Sequence, residues 1–447
     1  MEHPVIAAAR DAGIVGQGGA GFPTHVKLAA AVDTVIANGC ECEPLLATDA
    51  DIIKRNGQRL LTGLSAAMQA TGAVRGIIAV KRKHADLVDL LTGLTNGTDY
   101  SLLLLDNFYP AGDEQVLIYE ATGRTVPPLG LPRAVGCLVS NVGTLVSLAE
   151  SLEGLPVTRR TVTVSGEVTR PAVFEVPIGV SLTECIEFCG GATINDWVVV
   201  LGGPVMGAVL DNPADIASAV VTKTLGGIIL VPHGHYLHRK ALQSVESMRR
   251  RASTACIQCR FCTDLCPRRL IGQPFETHRV MRAFGASREL EVSAGRQAMM
   301  CCFCGICEHV ACPMDLSPCA INKAVRAELG ARGLGFEGST ELDLAITQWK
   351  DYRKTPISRL AARIGITKYL DIHPEQVSGF MPETVNIPLR QHIGKPAVAL
   401  CKAGDSVKAG QLIAEIPEGA LGARVHASIG GLVENVCDSI RIRRQAS

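Results

Sequence analysis

The chain has 447 residues, and 44 Lys and Arg against 43 Asp and Glu leave a net charge of +1. That balance argues against a nucleic-acid or anionic-membrane partner, because such surfaces call for concentrated positive charge. Hydrophobic residues make up 47% but aromatics only 4%, so the expected core is aliphatic, and the length allows about three domains.

The start, MEHPVIAAARDAG, lacks a basic segment followed by an apolar core, so no signal peptide is expected. No apolar stretch reaches ~18 residues without a charge, so no membrane span is expected. Next comes Gly13-Ile-Val-Gly16-Gln-Gly18-Gly19-Ala20-Gly21-Phe22-Pro23-Thr24, followed by Lys27. Such glycines let the backbone approach a ligand and turn free N–H groups toward a phosphate. Lys27, on the first turns of the following helix, adds a point charge. A loop of this kind is also a common structural turn. The apolar strand Thr34–Asn38 then ends in Asn38-Gly-Cys-Glu41-Cys-Glu43-Pro44. An amide and two carboxylates at a strand end, beside a Gly-rich loop, form a ligand-binding edge.

Residues 159–212 read as short strands, TVTVSGEV, FEVPIG and DWVVVLGG, with helical spacing in SLTECIEFCGG. This pattern matches a β-grasp module. Cys185 and Cys189 stand i, i+4 on that helix. They could hold a metal, but a free Cys behaves as a small hydrophobe and its expected place is the apolar face. Polar residues 239–253, with Arg249-Arg250-Arg251, lead into the cysteines. The basic run is either solvated or offsets negative charge nearby.

Ten of the seventeen cysteines fall within residues 256–319. One run is Cys256-x2-Cys259-x2-Cys262-x3-Cys266-Pro267, and the other is Cys301-x2-Cys304-x2-Cys307-x4-Cys312-Pro313. This is the bacterial spacing for two [4Fe–4S] clusters, in which three thiolates of a run hold one cube and the fourth, before Pro, crosses to the other. The expected sets are Cys256, Cys259, Cys262 and Cys312 for the first cluster, and Cys301, Cys304, Cys307 and Cys266 for the second. Cys302 adjoins the second run, and its one-residue gap to Cys304 fits the loop less well, which leaves two candidates for that corner. Zinc sites favour isolated C-x2-C pairs rather than triplets followed by C-P. Reduced thiols of this kind point to the cytoplasm. Residues 275–288 and 320–329 read as the helices of a two-cluster ferredoxin unit.

The last 60 or so residues alternate short strands with Gly and Asp turns, as in Ala403-Gly404-Asp405 and Ile429-Gly430-Gly431. They resemble a lipoyl-like barrel-sandwich hybrid. A carrier domain would offer a modifiable Lys at the tip where Ile429-Gly430-Gly431 stands, so a structural or docking role is expected.

GQGGAGFPTHVK and NGCECEP together resemble the flavin subunit of respiratory complex I and, still more, the NADH-oxidising flavoprotein of the Rnf complex. The likeness continues through Tyr109-Pro110-Ala111-Gly112-Asp113-Glu114, Asn141-Val-Gly-Thr144, Gly202-Gly203-Pro204-Val-Met-Gly207 and both cysteine runs. The resemblance implies FMN, with its phosphate against Gly16, Gly18, Gly19, Gly21, Lys27 and Thr144. Asn38, Glu41, Gly112, Asp113 and Asn141 would hold its ribityl chain and ring. NADH would stack near Phe22, with Glu43, Tyr109 and Glu114 fixing it. Cys40 and Ser140 depart from the complex I pattern, which has an acid and a second Asn there.

The implied fold class is multidomain α/β. It comprises a Rossmann-like flavin domain (1–155), a soluble-ligand-binding β-grasp domain (156–240), a two-cluster helical ferredoxin domain (245–335), linker helices (336–385) and a barrel-sandwich hybrid (386–447). The Rnf flavoproteins carry the hybrid first. Its C-terminal place here resembles the corrinoid-reducing branch of propanediol-utilisation microcompartments. That branch implies a corrinoid substrate, an adenosyltransferase partner, a microcompartment shell contact within the cytoplasm and a homo-oligomer. The alternative is an electron-input component of an Rnf-type membrane complex.

Overall fold

A computed structural model describes residues 2–286 and 292–445. The first domain opens with α1 (Pro4–Asp11) and α2 (Thr24–Leu28), which flank the Gly-rich loop. Its sheet is made of β1 (Thr34–Gly39), β2 (Arg75–Lys81), β3 (Tyr100–Leu105) and, after the short β4 (Phe108–Tyr109), β5 (Cys137–Asn141). The long helix α3 (Thr48–Thr71), α4 (Ala85–Thr95), α5 (Glu114–Thr122) and α6 (Val142–Leu152) cover it. All four strands of the sheet are parallel in the order β3-β2-β1-β5. Parallel strands buried on both faces need continuous apolar runs, which RGIIAVK and TVIANG supply. A Cβ at Gly63 would lie 1.9 Å from the Leu145 carbonyl oxygen, so glycine lets α3 and α6 touch backbone to backbone.

The second domain pairs β6 (Arg159–Gly166) with β7 (Ala172–Pro177) as a hairpin, then runs through α7 (Leu182–Phe188), β8 (Trp197–Leu201), β9 (Ala208–Leu210), α8 (Pro213–Ser218) and β10 (Gly227–Pro232). The last strand lies parallel to β6 at the centre of the sheet, the β-grasp arrangement. Ser181 and Glu184 form a reciprocal cap on α7. Cys185 and Cys189 are buried in this domain's core, as apolar-face residues should be.

Short helices α9 (Tyr236–Ala241) and α10 (Val245–Ala255) lead to α11 (Phe261–Asp264) and α12 (Pro267–Leu270), the helix that Pro267 starts behind Cys266. Then come α13 (Thr277–Ala286), α14 (Val292–Gly295) and α15 (Pro318–Ala331). The helix expected over 275–288 starts two residues later, and Arg288 lies outside the described residues. Arg249 caps the Phe284 carbonyl and stacks on its ring, while Arg250 and Arg251 pair at the surface with Glu246 and Asp315.

The segment expected as linker helices holds one α-helix, α16 (Ile357–Ile364), and three short 3-10 helices (Leu344–Trp349, Asp351–Arg353 and Thr367–Tyr369). Around it the segment stitches the domains together. Strand β11 (Thr355–Pro356) pairs with β4, and β12 (Glu375–Gln376) extends the β-grasp sheet beside β7. The C-terminal module packs β13 (Thr384–Pro388), β14 (Val398–Ala399), β15 (Ser406–Val407), β16 (Leu412–Glu415), β17 (Val425–His426), β18 (Gly431–Val436) and β19 (Ser439–Arg444) in two small sheets. It shares one apolar core with the first domain, through Val385, Ile387, Ile413 and Ile429 against α1, α3 and α6. Ile429, at the tip where a carrier domain would present its lysine, is therefore interior. Lys223 fixes the junction. Its ammonium donates to the Gly13 and Arg424 carbonyls at 2.6 and 2.7 Å.

Candidate functional site

The strand order reverses between β1 and β5, and a crevice opens there at the carboxyl ends of parallel strands. Asn38 and Asn141 end the two strands as direct register partners. Asn38 donates to the Gly112 carbonyl at 2.9 Å, and Asn141 caps α6 at the Gly143 N–H while donating to Asp49. The Gly-rich loop lies above this crevice. It is anchored by Gln17, whose N–H donates to Thr144 Oγ1 at 2.9 Å and whose carbonyl accepts from Arg160. Gly18, Gly19 and Ala20 are exposed, and among the described residues their N–H groups donate to no protein acceptor. Three open N–H groups on a glycine loop make a cradle for an anion. Lys27 and Glu114 close the rim as a pair at 2.7 Å, and Phe22 is half-buried beside it.

The acids below behave differently from surface carboxylates. Glu41 accepts from the Thr48 and Asp49 N–H groups, yet burial and the nearby Asp49 charge push it up to about 8. Burial also raises Asp49, against the hydrogen bonds from Asn141. Glu43 points away from the loop, toward the β-grasp domain. It accepts from Val205 and Met206 N–H at 2.8 and 3.0 Å, and burial pushes it up to about 7. Gly203 makes room for it, since a Cβ there would overlap the carboxylate. Lys81, buried at the end of β2, is the cation that favours ionised Glu41, Cys42 and Glu43. It escaped the sequence reading, because in the run Lys81-Arg82-Lys83 nothing local marks which cation turns inward. Cys40 is buried in the core behind the crevice, and Ser140 is buried on β5.

Gly112, Asp113 and Tyr109 form the far wall. Gly112 N–H donates to Cys42 Sγ at 2.6 Å, and Asp113 caps α5 through the Gln115 and Val116 N–H groups. Tyr109 is 1% exposed and stands between Glu43 and Cys304. It therefore lies at the boundary with the second cysteine run, apart from the Gly-rich loop.

The cysteines gather in two groups. Cys256, Cys259, Cys262 and Cys312 line one cavity of about 350 Å³, mouth included, with Met281 and Leu316 on its walls. Cys266, Cys301, Cys304 and Cys307 gather together with two more thiols, Cys302 against Cys266 and Cys304, and Cys319 against Cys301 and Cys307. Cys301 accepts from the Phe303 N–H at 3.4 Å and from Asn322 Nδ2 at 3.6 Å, whereas Cys302 turns toward Cys304. Burial pushes the Cys262 and Cys266 thiols up to about 12, so their thiolates need a bound cationic centre. Among the described residues, no three His, Cys, Asp or Glu converge on a single metal ion. A cubane spreads its ligands more widely, and both groups suit it. Arg268 Nη1, beside the second group, is buried without a hydrogen-bond partner, as a cationic donor facing an anionic cluster would be. The open loop N–H groups fit a flavin phosphate in the same way.

Comparison with known proteins agrees with this geometry. The chain matches the Nuo51 FMN-binding domain over residues 9–150, the SLBB domain over 161–209, a 4Fe-4S dicluster domain over 255–317 and the RnfC barrel sandwich hybrid domain over 373–445. It is 42% identical to the cobalamin reductase PduS of Salmonella typhimurium, over 96% of this chain and 94% of that one. Identity to the cobalamin reductase PduS of Citrobacter freundii is 41% over the same shares. A component of the Na(+)-translocating ferredoxin:NAD(+) oxidoreductase complex of Acetobacterium woodii is 37% identical, over 58% of this chain and 56% of that protein. Among the described residues, no helix is long and apolar enough to cross a membrane.

Proposed function

The chain belongs to the family of the cobalamin reductases PduS, and from that membership we propose that it moves electrons from NADH to the cobalt of a corrinoid. The observation that carries the proposal is the meeting of two sites in one chain: a crevice at the strand switch point, and two four-cysteine groups, of which the one with Cys304 lies against the crevice's far wall at Tyr109. FMN, when bound, accepts two electrons as a hydride and gives them up singly to iron–sulfur clusters.

The protein's own groups set the geometry. Open N–H groups at 18–20 and Lys27 hold the phosphate of FMN. Asn38, Asn141 and the Gly112 backbone orient its chain and ring. Phe22 offers a half-buried face for the nicotinamide nucleotide, and Glu114 on the rim flanks it, while Glu43 is turned to the β-grasp domain. Cys256, Cys259, Cys262 and Cys312 ligate one cluster. Cys266, Cys301, Cys304 and Cys307 ligate the other, with Cys301 rather than Cys302 at its corner because its two-residue gap to Cys304 fits the loop better. One NADH supplies two electrons, enough for two Co(III)-to-Co(II) steps or for one corrinoid taken to Co(I).

The same reading places the protein in a cytoplasmic microcompartment. Its partners there are an adenosyltransferase that receives the reduced corrinoid, a shell protein and a second copy of the chain. The test is NADH-driven aquocobalamin reduction by FMN- and iron-reconstituted protein under anaerobic conditions. Activity that depends on both cofactors supports the proposal, and flavin that NADH cannot bleach refutes it.

A further inference from the structure

Arg268 stands where the crevice and the cysteine groups join. It follows Cys266-Pro267 on α12 and is 8% exposed. Its Nη2 pairs with Asp113 Oδ2 at 3.0 Å, while the other Asp113 oxygen caps α5 at the crevice wall. Its Nη1 is buried and has no hydrogen-bond partner among the described residues. The thiols that act on that guanidinium's charge are Cys302, Cys266 and Cys304. An unsatisfied buried donor is costly, and more so when charged, so it points to a group that completes it. The surrounding seam is tied on both sides. Gln273 donates to Gln115 Oε1 and the Val126 carbonyl, and Thr125 donates to the Ile271 carbonyl. The other cysteine group sits away from this seam. Its cavity rim carries Ile257, which is 61% exposed, and the neighbouring Phe261 is 50% exposed.

We propose that Arg268 is a positioning residue that makes the cluster of Cys266, Cys301, Cys304 and Cys307 the first acceptor of the flavin's electrons. Its Nη1 donates to a sulfur of that cluster, and its Nη2 holds the crevice wall through Asp113. The inference rests on the flavin and cluster reading above. With FMN and both clusters held, each step would move one electron from the flavin to the cluster of Cys266, Cys301, Cys304 and Cys307, and its transfer to the cluster held by Cys256, Cys259, Cys262 and Cys312 would return the first to its oxidised state. A fixed cation beside an anionic cluster favours the more negative, reduced form, so it raises that cluster's potential.

Redox titration with chemical mediators, followed by low-temperature EPR, tests this without NADH or flavin. Arg268→Gln should keep the iron of both clusters and make one of them at least tenfold harder to reduce, which is 59 mV for a one-electron couple. The other cluster should not move. Unchanged potentials, or equal shifts in both, overturn the proposal. A second measurement stands if that variant loses iron. Cys259→Ser should leave a cluster that NADH still reduces at the parent rate, and Cys304→Ser should leave one that NADH no longer reduces. The reverse pattern overturns the order. Failure of NADH to reduce the flavin would refute the proposed function, while the mediator titration would still judge Arg268.

Discussion

Replacing Lys27 with Ala should weaken FMN binding by one to two orders of magnitude while leaving the fold intact. Lys27 and Glu114 are paired at 2.7 Å with side chains 33% and 40% exposed. A pair so open to water contributes at most about 1 kcal/mol to stability. A charge-assisted bond from the ammonium to a phosphate oxygen is worth about 1.5–3 kcal/mol, and each 1.4 kcal/mol is about tenfold in affinity. The loss therefore lies near 10- to 100-fold, toward the upper end because Glu114 is left as an unpaired anion on the same rim. Glu114→Gln should do the opposite, freeing Lys27 and holding or tightening FMN. Flavin fluorescence quenching, on titrating FMN into deflavinated protein, gives both constants. High salt should shrink the difference between parent and Lys27→Ala, since the interaction is screened. An unchanged affinity in Lys27→Ala, or a loss in Glu114→Gln as large as that in Lys27→Ala, would refute the phosphate role.

Cys259→Ser should lower bound iron by about half and remove one EPR signal, because each cube has its own loop of three cysteines; retention of both clusters would break the ligand assignment. Cys302→Ala should keep both clusters, and loss of one would move the corner from Cys301 to Cys302. Burial pushes Lys223 from 10.5 down to about 7. The unfolded chain then binds more protons between pH 7 and 10.5, so this residue's contribution to stability rises with pH across that window. Raising pH from 7 to 9 should stabilise the parent relative to Lys223→Met by about 2 kcal/mol, at no more than ~1.4 kcal/mol per pH unit. Thermal unfolding curves that shift in parallel for the two proteins would contradict this.

The parts legible in the sequence are those whose chemistry is local. Cysteine spacing within a loop fixes which thiols can share a cube, and the cavity lined by Cys256, Cys259, Cys262 and Cys312 follows that spacing. The apolar run TVIANG predicts β1 nearly to the residue, and the short runs TVTVSGEV, FEVPIG and DWVVVLGG fall on β6, β7 and β8. What stayed hidden depends on partners far apart in the chain. Glu43 meets its N–H donors 162 and 163 positions later, and Arg268 meets Asp113 at a separation of 155. No local pattern marks those pairs. In the segment after residue 335 the short strands stayed hidden for a related reason. Its two-residue strands gain their hydrogen bonds from β4 and β7, so their own sequence carries too little periodicity to announce them.

The central claim is that electrons from NADH reach corrinoid cobalt through this chain. Its most direct test is an anaerobic NADH titration of the fully reconstituted protein with aquocobalamin, followed by visible absorbance. Two Co(III) should be reduced to Co(II) per NADH, and the reaction should stop there, because Co(I) is too reducing to accumulate from free corrinoid. Adding an adenosyltransferase with ATP should carry the cobalt on to the adenosylated product. No cobalt reduction, with rapid reduction of added ferredoxin instead, would contradict the account and favour an Rnf-type electron-input role.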